Sequence, residues 1–103
     1  MRAKEGLWYI YILASRRKGT LYIGSTDRLL KRVRQHKDRL YPYSFTAKYN
    51  VTMLVYYEVY GSSEALVTRE RQLKKWNRQW KVELIEKMNP TWRDLYFDLI
   101  KDF

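Results

Sequence analysis

Cysteine is absent from the 103-residue chain, which excludes disulfides, thiolate zinc sites and thiol nucleophiles together. Histidine occurs once, as His36, too few for a nuclease that holds its metal with several imidazoles. Long apolar runs are missing as well. The longest, Leu7 to Ala14, has the length of a strand, so neither a signal peptide nor a membrane span is read, and a soluble cytoplasmic protein is expected. Acidic residues are scarce: 11 against 21 Lys and Arg, for a formal charge of +10 and a pI near 9.9.

What the chain does hold is cationic and unevenly spread. Residues 1–50 carry 12 basic residues against only Glu5, Asp27 and Asp38, whereas residues 51–103 carry 9 against 8 acids. Within the second half, Arg69 to Lys81 supplies six bases against the lone Glu70. Two such stretches suit a polyanionic partner. Nucleic acid fits better than a membrane surface, because the bases interleave with Trp and Tyr on folded elements. Two solvated helix faces would carry the same charge. A single domain of this length buries roughly 60–70% of its unfolded surface, a sufficient core without staples.

Hydrophobic periodicity orders the elements. Leu7 to Leu13 alternates as a strand, Ala14 to Gly19 is a polar turn, and Thr20 to Gly24 is a second strand completing a hairpin. A turn centred near Arg16 and Arg17 would set Tyr11 opposite Tyr22, on one face. Ser25 or Thr26 is a candidate cap for a helix to about Leu40, whose stripe is Leu29, Val33, His36 and Leu40, with Arg32 on its flank. Tyr41-Pro42-Tyr43-Ser44 opens a loop, Val51 to Tyr60 is a third strand, and Glu64 to Asn77 a helix bearing Leu66, Leu73 and Trp76. Trp80 to Lys87 continues helically, and Thr91 to Lys101 reads as a last amphipathic helix with Trp92, Leu95, Leu99 and Phe103. The order is β-β-α-β-α-α-α: an α/β domain with a small three-stranded antiparallel sheet flanked by helices, residues 91–103 forming a C-terminal extension.

Two short runs, Tyr9-Ile10-Tyr11 and Tyr22-Ile23-Gly24, set Tyr11 and Tyr22 eleven positions apart; Arg32 follows ten residues after Tyr22 and His36 one turn later. With Glu70 on the later helix and Asn89 beyond it, this ordered combination resembles the GIY-YIG endonuclease family over nearly the whole chain. The small stand-alone single-domain bacterial members are the most similar. The resemblance implies a metal-dependent endonuclease that hydrolyses DNA phosphodiester bonds, in DNA repair or recombination. It assigns catalytic roles to Tyr11, Tyr22, Arg32, His36 and Glu70. Tyr22 would be the base toward the attacking water, with Tyr11 orienting that water or a phosphate oxygen.

An ordinary phenol, with a pKa near ~10, is a poor base at neutral pH without nearby positive charge. Arg32 would stabilise charge developing on phosphorus, and His36 would protonate the leaving oxygen or bond a Tyr22 phenolate. Glu70 would anchor one divalent cation, Mg²⁺ or Mn²⁺, although an ion pair with Lys74 one turn on is the plain alternative. Ser25 stands where some relatives place lysine, and Tyr9 where the first motif has glycine. Nucleic-acid contact is expected from Arg16, Arg17 and Lys18 in the turn, and from Arg28, Lys31, Arg34 and Lys37 on the first helix. Gly24 would admit a phosphate to the backbone, Lys48 and Tyr49 form a basic-aromatic loop, and Asn89 would bind phosphate or hold a turn.

Two further readings compete. One is a catalytically silent nucleic-acid-binding module on the same scaffold; the other is an adaptor whose last helix docks a targeting partner. The protein is expected to be a monomer.

Overall fold

The computed structural model describes residues 6–101. Its elements are β1 (Trp8–Ala14), β2 (Leu21–Thr26), α1 (Leu29–Lys37), α2 (Phe45–Lys48), β3 (Met53–Tyr60), α3 (Ser63–Lys75), α4 (Arg78–Met88) and α5 (Leu95–Ile100). The strands form one antiparallel sheet, as expected, and the structure sets their order as β2-β1-β3. The added element is α2, a single turn inside the loop after α1.

The central strand explains the apolar run at the start of the chain. Helices cover both faces of β1, so Ile10 to Ala14 are all buried and both sides of the alternation are hydrophobic. Ile10, Ile12 and Ala14, with Ile23 and Val55, pack on Leu66 and Leu73 of α3 and on Val82 and Ile85 of α4. Tyr11 and Leu13, with Leu54, pack on Leu29 and Val33 of α1 and on Leu95 and Tyr96 of α5. No described helix is long and apolar enough to cross a membrane.

The hairpin register differs from the expected one by two residues: Tyr11 lies opposite Gly24, and Tyr22 opposite Leu13. Gly19 donates to the Arg16 carbonyl (2.9 Å) and Ser15 to that of Thr20 (3.0 Å), moving the turn toward Lys18, which takes a positive φ of 56°. Side chains alternate with a period of two, so a two-residue slip keeps both tyrosines on one face, as neighbours on the diagonal.

The first helix is shorter than its periodicity suggests. Arg39 adopts φ 53°, and the Leu40 and Arg39 amides donate to the carbonyls of Gln35 and His36, both at 3.1 Å. This pair of bonds is a Schellman closure. It throws Leu40 outward, so the stripe ends at His36 and Leu40 is exposed. The two helices expected after β3 are separate elements. Asn77 stops α3 from continuing because its side chain accepts from the Trp80 amide at 2.9 Å and starts α4 in a new direction.

The final helix is also shorter than expected. Trp92, with φ 57°, is buried ahead of it, and Leu95 and Tyr96 are core residues. That burial makes α5 part of the fold rather than a detachable docking helix. Phe103 lies outside the described residues.

Candidate active site and nucleic-acid interface

Four of the expected site residues meet between β1, β2 and α1. Tyr11 rises from the centre of the sheet, Tyr22 from the edge strand, and Arg32 and His36 from successive turns of α1. The two phenol rings are 6.3 Å apart at their centroids, and the His36 ring is 5.8 Å from Tyr11 and 5.5 Å from Tyr22. Tyr22, Arg32, Gln35, His36, Arg39, Tyr41, Ser44 and Thr46 line an open cleft of about 220 Å³. Tyr11 is not among them.

Tyr11 is 1% exposed, and its ring lies over Gly24, where a Cβ would come within 2.5 Å of both Cζ and Oη. Gly24 is therefore the cradle for the Tyr11 ring. Its expected role of admitting a phosphate is corrected, because the ring fills that space. Tyr11 itself cannot orient a water in the cleft. Burial pushes its pKa above the ordinary phenol value, reinforced by Tyr22, while the Arg32 guanidinium beside it pulls the other way.

The Tyr11 hydroxyl is hydrogen-bonded to His36 Nε2 at 3.0 Å. His36 Nδ1 is in turn hydrogen-bonded to Thr46 Oγ1 at 2.8 Å, and that hydroxyl faces Ser44 Oγ at 3.3 Å. Burial, with the Arg32 charge in support, pushes the His36 pKa down to about 4, so the imidazole is neutral at pH 7. This corrects the proton-donor role expected of it: both ring nitrogens are engaged, and its phenol partner is Tyr11 rather than Tyr22. Thr46 was not legible as a site residue. It is a buried threonine in an otherwise exposed loop, and no spacing rule connects it to His36.

Arg32 lines the cleft, with one guanidinium nitrogen held by Gln35 Oε1 at 3.2 Å and the guanidinium also beside the Tyr11 phenol. Glu70 is placed differently. It belongs to α3, which covers the sheet face opposite Tyr11, and it does not line the cleft. Its side chain is 20% exposed, pairs with Lys74 at 2.8 Å and lies near Ser25, the residue after Gly24. Burial alone would raise its pKa, but Lys74 and Ser25 outweigh that and hold it below the usual carboxylate range. Its charge still reaches the Tyr11 phenol across the edge strand.

Of the expected nucleic-acid contacts, Arg16, Arg17, Lys18, Arg28, Lys31, Arg34, Lys48 and Tyr49 are exposed, with Arg34 tied to Asp38 at 3.1 Å. Two others are corrected. Lys37 is largely buried against Asp94, donates to the Thr52 carbonyl at 2.9 Å and lies over the rings of Tyr96 and Phe97. Asn89 is 3% exposed; it donates to the carbonyls of Val55 (3.2 Å) and Arg93 (2.8 Å) and accepts from the Arg93 amide. Both fasten the α5 region to the sheet. Asp94 escaped the sequence reading although its signal was present: an Asp directly before an amphipathic run is a helix cap, and its Oδ1 accepts from Tyr96. The same oxygen accepts from Leu54, which ties the cap to β3.

Among the described residues, no group of three His, Cys, Asp or Glu side chains is placed to hold a metal ion. Glu70 is an ionised single carboxylate already holding a cation, the Lys74 ammonium. That donor suits a hard divalent ion keeping water and phosphate oxygens in its other positions, and does not suit an ion needing a full protein cage.

No solved structure matches the chain. The chain is similar to the UPF0213 protein of Syntrophus aciditrophicus (strain SB), 38% identical over 82 residues that cover 80% of this chain and 92% of the relative. The GIY-YIG catalytic domain matches residues 7–83, a span that includes both tyrosine runs, Arg32, His36 and Glu70 and ends within α4, so the chain belongs to the GIY-YIG nuclease family.

Proposed function

We propose that the protein is a metal-dependent endonuclease that hydrolyses DNA phosphodiester bonds, working in DNA repair or recombination. The observation that carries this reading is the shared cleft: a phenol, Tyr22, and a guanidinium, Arg32, line one opening with His36, while Tyr11 packs behind them. A phosphate in the cleft would be bound by the Arg32 guanidinium, which also opposes charge developing on its oxygens. The Tyr22 hydroxyl, the phenol that faces the cleft, is placed to take the proton of an attacking water. Tyr11 and His36 are positioning residues. Their hydrogen bond fixes the wall against which Tyr22 and Arg32 sit.

Glu70 would hold the divalent ion at the edge strand, outside the cleft lining, and the ion would supply Lewis-acid polarisation to a substrate phosphate oxygen that extends past β2 to reach it. Lys74 would release the carboxylate to do so. A second reading, a nucleic-acid-binding module without catalysis, is favoured by the Glu70–Lys74 pair and by Tyr9 in place of the first-motif glycine.

Cleavage of branched, flapped, single-stranded and duplex DNA, with and without Mg²⁺ or Mn²⁺, separates the two. Cutting should require metal. It should be lost in Tyr22→Phe, Arg32→Ala and Glu70→Ala while their thermal unfolding stays near wild type. Equal cutting by all three variants refutes the site; steeply salt-dependent binding without cutting of any substrate selects the silent module.

A further inference from the structure

The loop between α1 and β3 projects four aromatic rings beside the cleft, and the core claims little of them. Tyr43 is 98% exposed, and Tyr41, Phe45 and Tyr49 are exposed as well. A small protein rarely gathers such rings on one short segment without a partner for them. They are also ordered. The Tyr22 ring in the cleft stacks on Phe45 at 6.4 Å with 28° between planes, and Phe45 meets Tyr49 at 4.9 Å. A continuous aromatic row therefore starts at the proposed catalytic phenol and runs outward.

The electrostatics of the segment point the same way. No acidic residue occurs between Asp38 and Glu58, while Arg39 and Lys48 lie on it and Lys48 Nζ stands 5.4 Å over the Tyr49 ring. The row is held to the site, not merely near it, because Thr46, between Phe45 and Tyr49, is the residue that bonds His36.

We propose that this loop is a stacking platform for unpaired nucleobases, so that the DNA strand entering the cleft is single-stranded or carries unpaired nucleotides next to the scissile phosphate. The proposal rests on the endonuclease reading for the kind of nucleic acid. Its physical basis is separate. Bases stacked within a duplex cannot present a face to Tyr43 or Tyr49, whereas an unpaired base can, and every base has such a face. The cations then follow the phosphates of that strand, and no base sequence is specified.

The test is equilibrium binding in EDTA, where cutting is absent, read by the anisotropy of a labelled thymidine oligonucleotide of about 15 nucleotides, of the same strand in a duplex, and of a uridine oligonucleotide. The single DNA strand should bind more tightly than the duplex. Replacing both rings, Tyr43→Ala with Tyr49→Ala, should weaken single-strand binding by roughly tenfold or more and change duplex binding by less than about twofold. Tyr43→Phe with Tyr49→Phe should restore it, and the corresponding Leu pair, apolar but without a ring, should not.

Equal affinity for single strand and duplex overturns the proposal. So does an Ala pair that binds the single strand like wild type, rescue by Leu, or binding confined to the uridine strand. A protein that binds as expected here yet cuts nothing with Mg²⁺ or Mn²⁺ leaves the platform standing and refutes only the endonuclease reading.

Discussion

A methyl group added at Gly24 would stand 2.5 Å from both Cζ and Oη of Tyr11. Carbon contacts settle near ~3.5 Å, so the ring would have to retreat by about 1 Å. It has nowhere to go: Tyr11 is sealed beneath α1, and its hydroxyl is already bonded to His36 at 3.0 Å. Two effects then add in Gly24→Ala. Overpacking costs about 1–3 kcal/mol. Loss of the Tyr11–His36 bond strands two largely buried polar groups, for about 1–3 kcal/mol more. The two overlap in part, because a ring that moves relieves the clash, so the expected destabilisation is about 2–4 kcal/mol, or a fall in Tm of about 10–25 °C for a domain of this size.

The assay is thermal unfolding of the wild type, Gly24→Ala, Tyr11→Leu and the double variant. Leucine removes the obstructing ring, so Gly24→Ala should cost about 1–2 kcal/mol less in that background. A Gly24→Ala protein melting within about 2 °C of wild type, or strict additivity of the two changes, would refute the cradle.

Three other outcomes follow from the same contacts. His36 has a pKa of about 4 when folded against 6.5 when unfolded, so between those values the unfolded chain binds more protons. Stability is full above pH 6.5 and falls as the pH drops toward 4, by at most about 3 kcal/mol before solvent screening reduces it; urea midpoints should trace this loss, and His36→Gln should flatten it. Lys37→Met should leave Asp94 without its cation and destabilise the fold by about 3–5 kcal/mol while leaving the salt slope of DNA binding unchanged; Lys31→Ala should keep the Tm and lower that slope by about 1, with the reverse pattern refuting the assignment. Asn89→Ala should lower stability by about 2–3 kcal/mol, since it strands two carbonyls and an amide, yet DNA affinity of the folded variant should match wild type in the anisotropy measurement.

The three strands and their succession along the chain were legible because strand alternation and turn residues are local signals, whereas the central place of β1 comes from its pairing with the distant β3. The pairing of Tyr11 with Tyr22 on one face survived a two-residue register error, since only odd slips exchange faces. What escaped the sequence was set by partners distant in the chain or by backbone conformations that carry no residue signature. Arg39 closes α1 with a positive φ where glycine is the usual marker, so nothing announced the end of the stripe before Leu40. Lys37 looked like one more solvated base until Asp94, far along the chain, took its charge. Asn89 before Pro90 had two readings from sequence, and packing against β3 selects the structural one.

The division between the two tyrosines follows from their strands. Tyr11 is on the central strand, where both faces are covered, so its phenol is desolvated and bonded within the protein; such a group resists ionisation and serves as a fixed post. Tyr22 is on the edge strand, diagonal to it, and the same fold leaves its hydroxyl side open to the cleft. Ser25, three positions along β2, engages Glu70 from the other face of the sheet. One edge strand therefore carries the proposed base on one side and the proposed cation ligand on the other, with Gly24 between them. The side chain missing at Gly24 leaves the space that the Tyr11 ring fills while its hydroxyl bonds His36 at 3.0 Å, so one position of the edge strand sets the wall of the cleft.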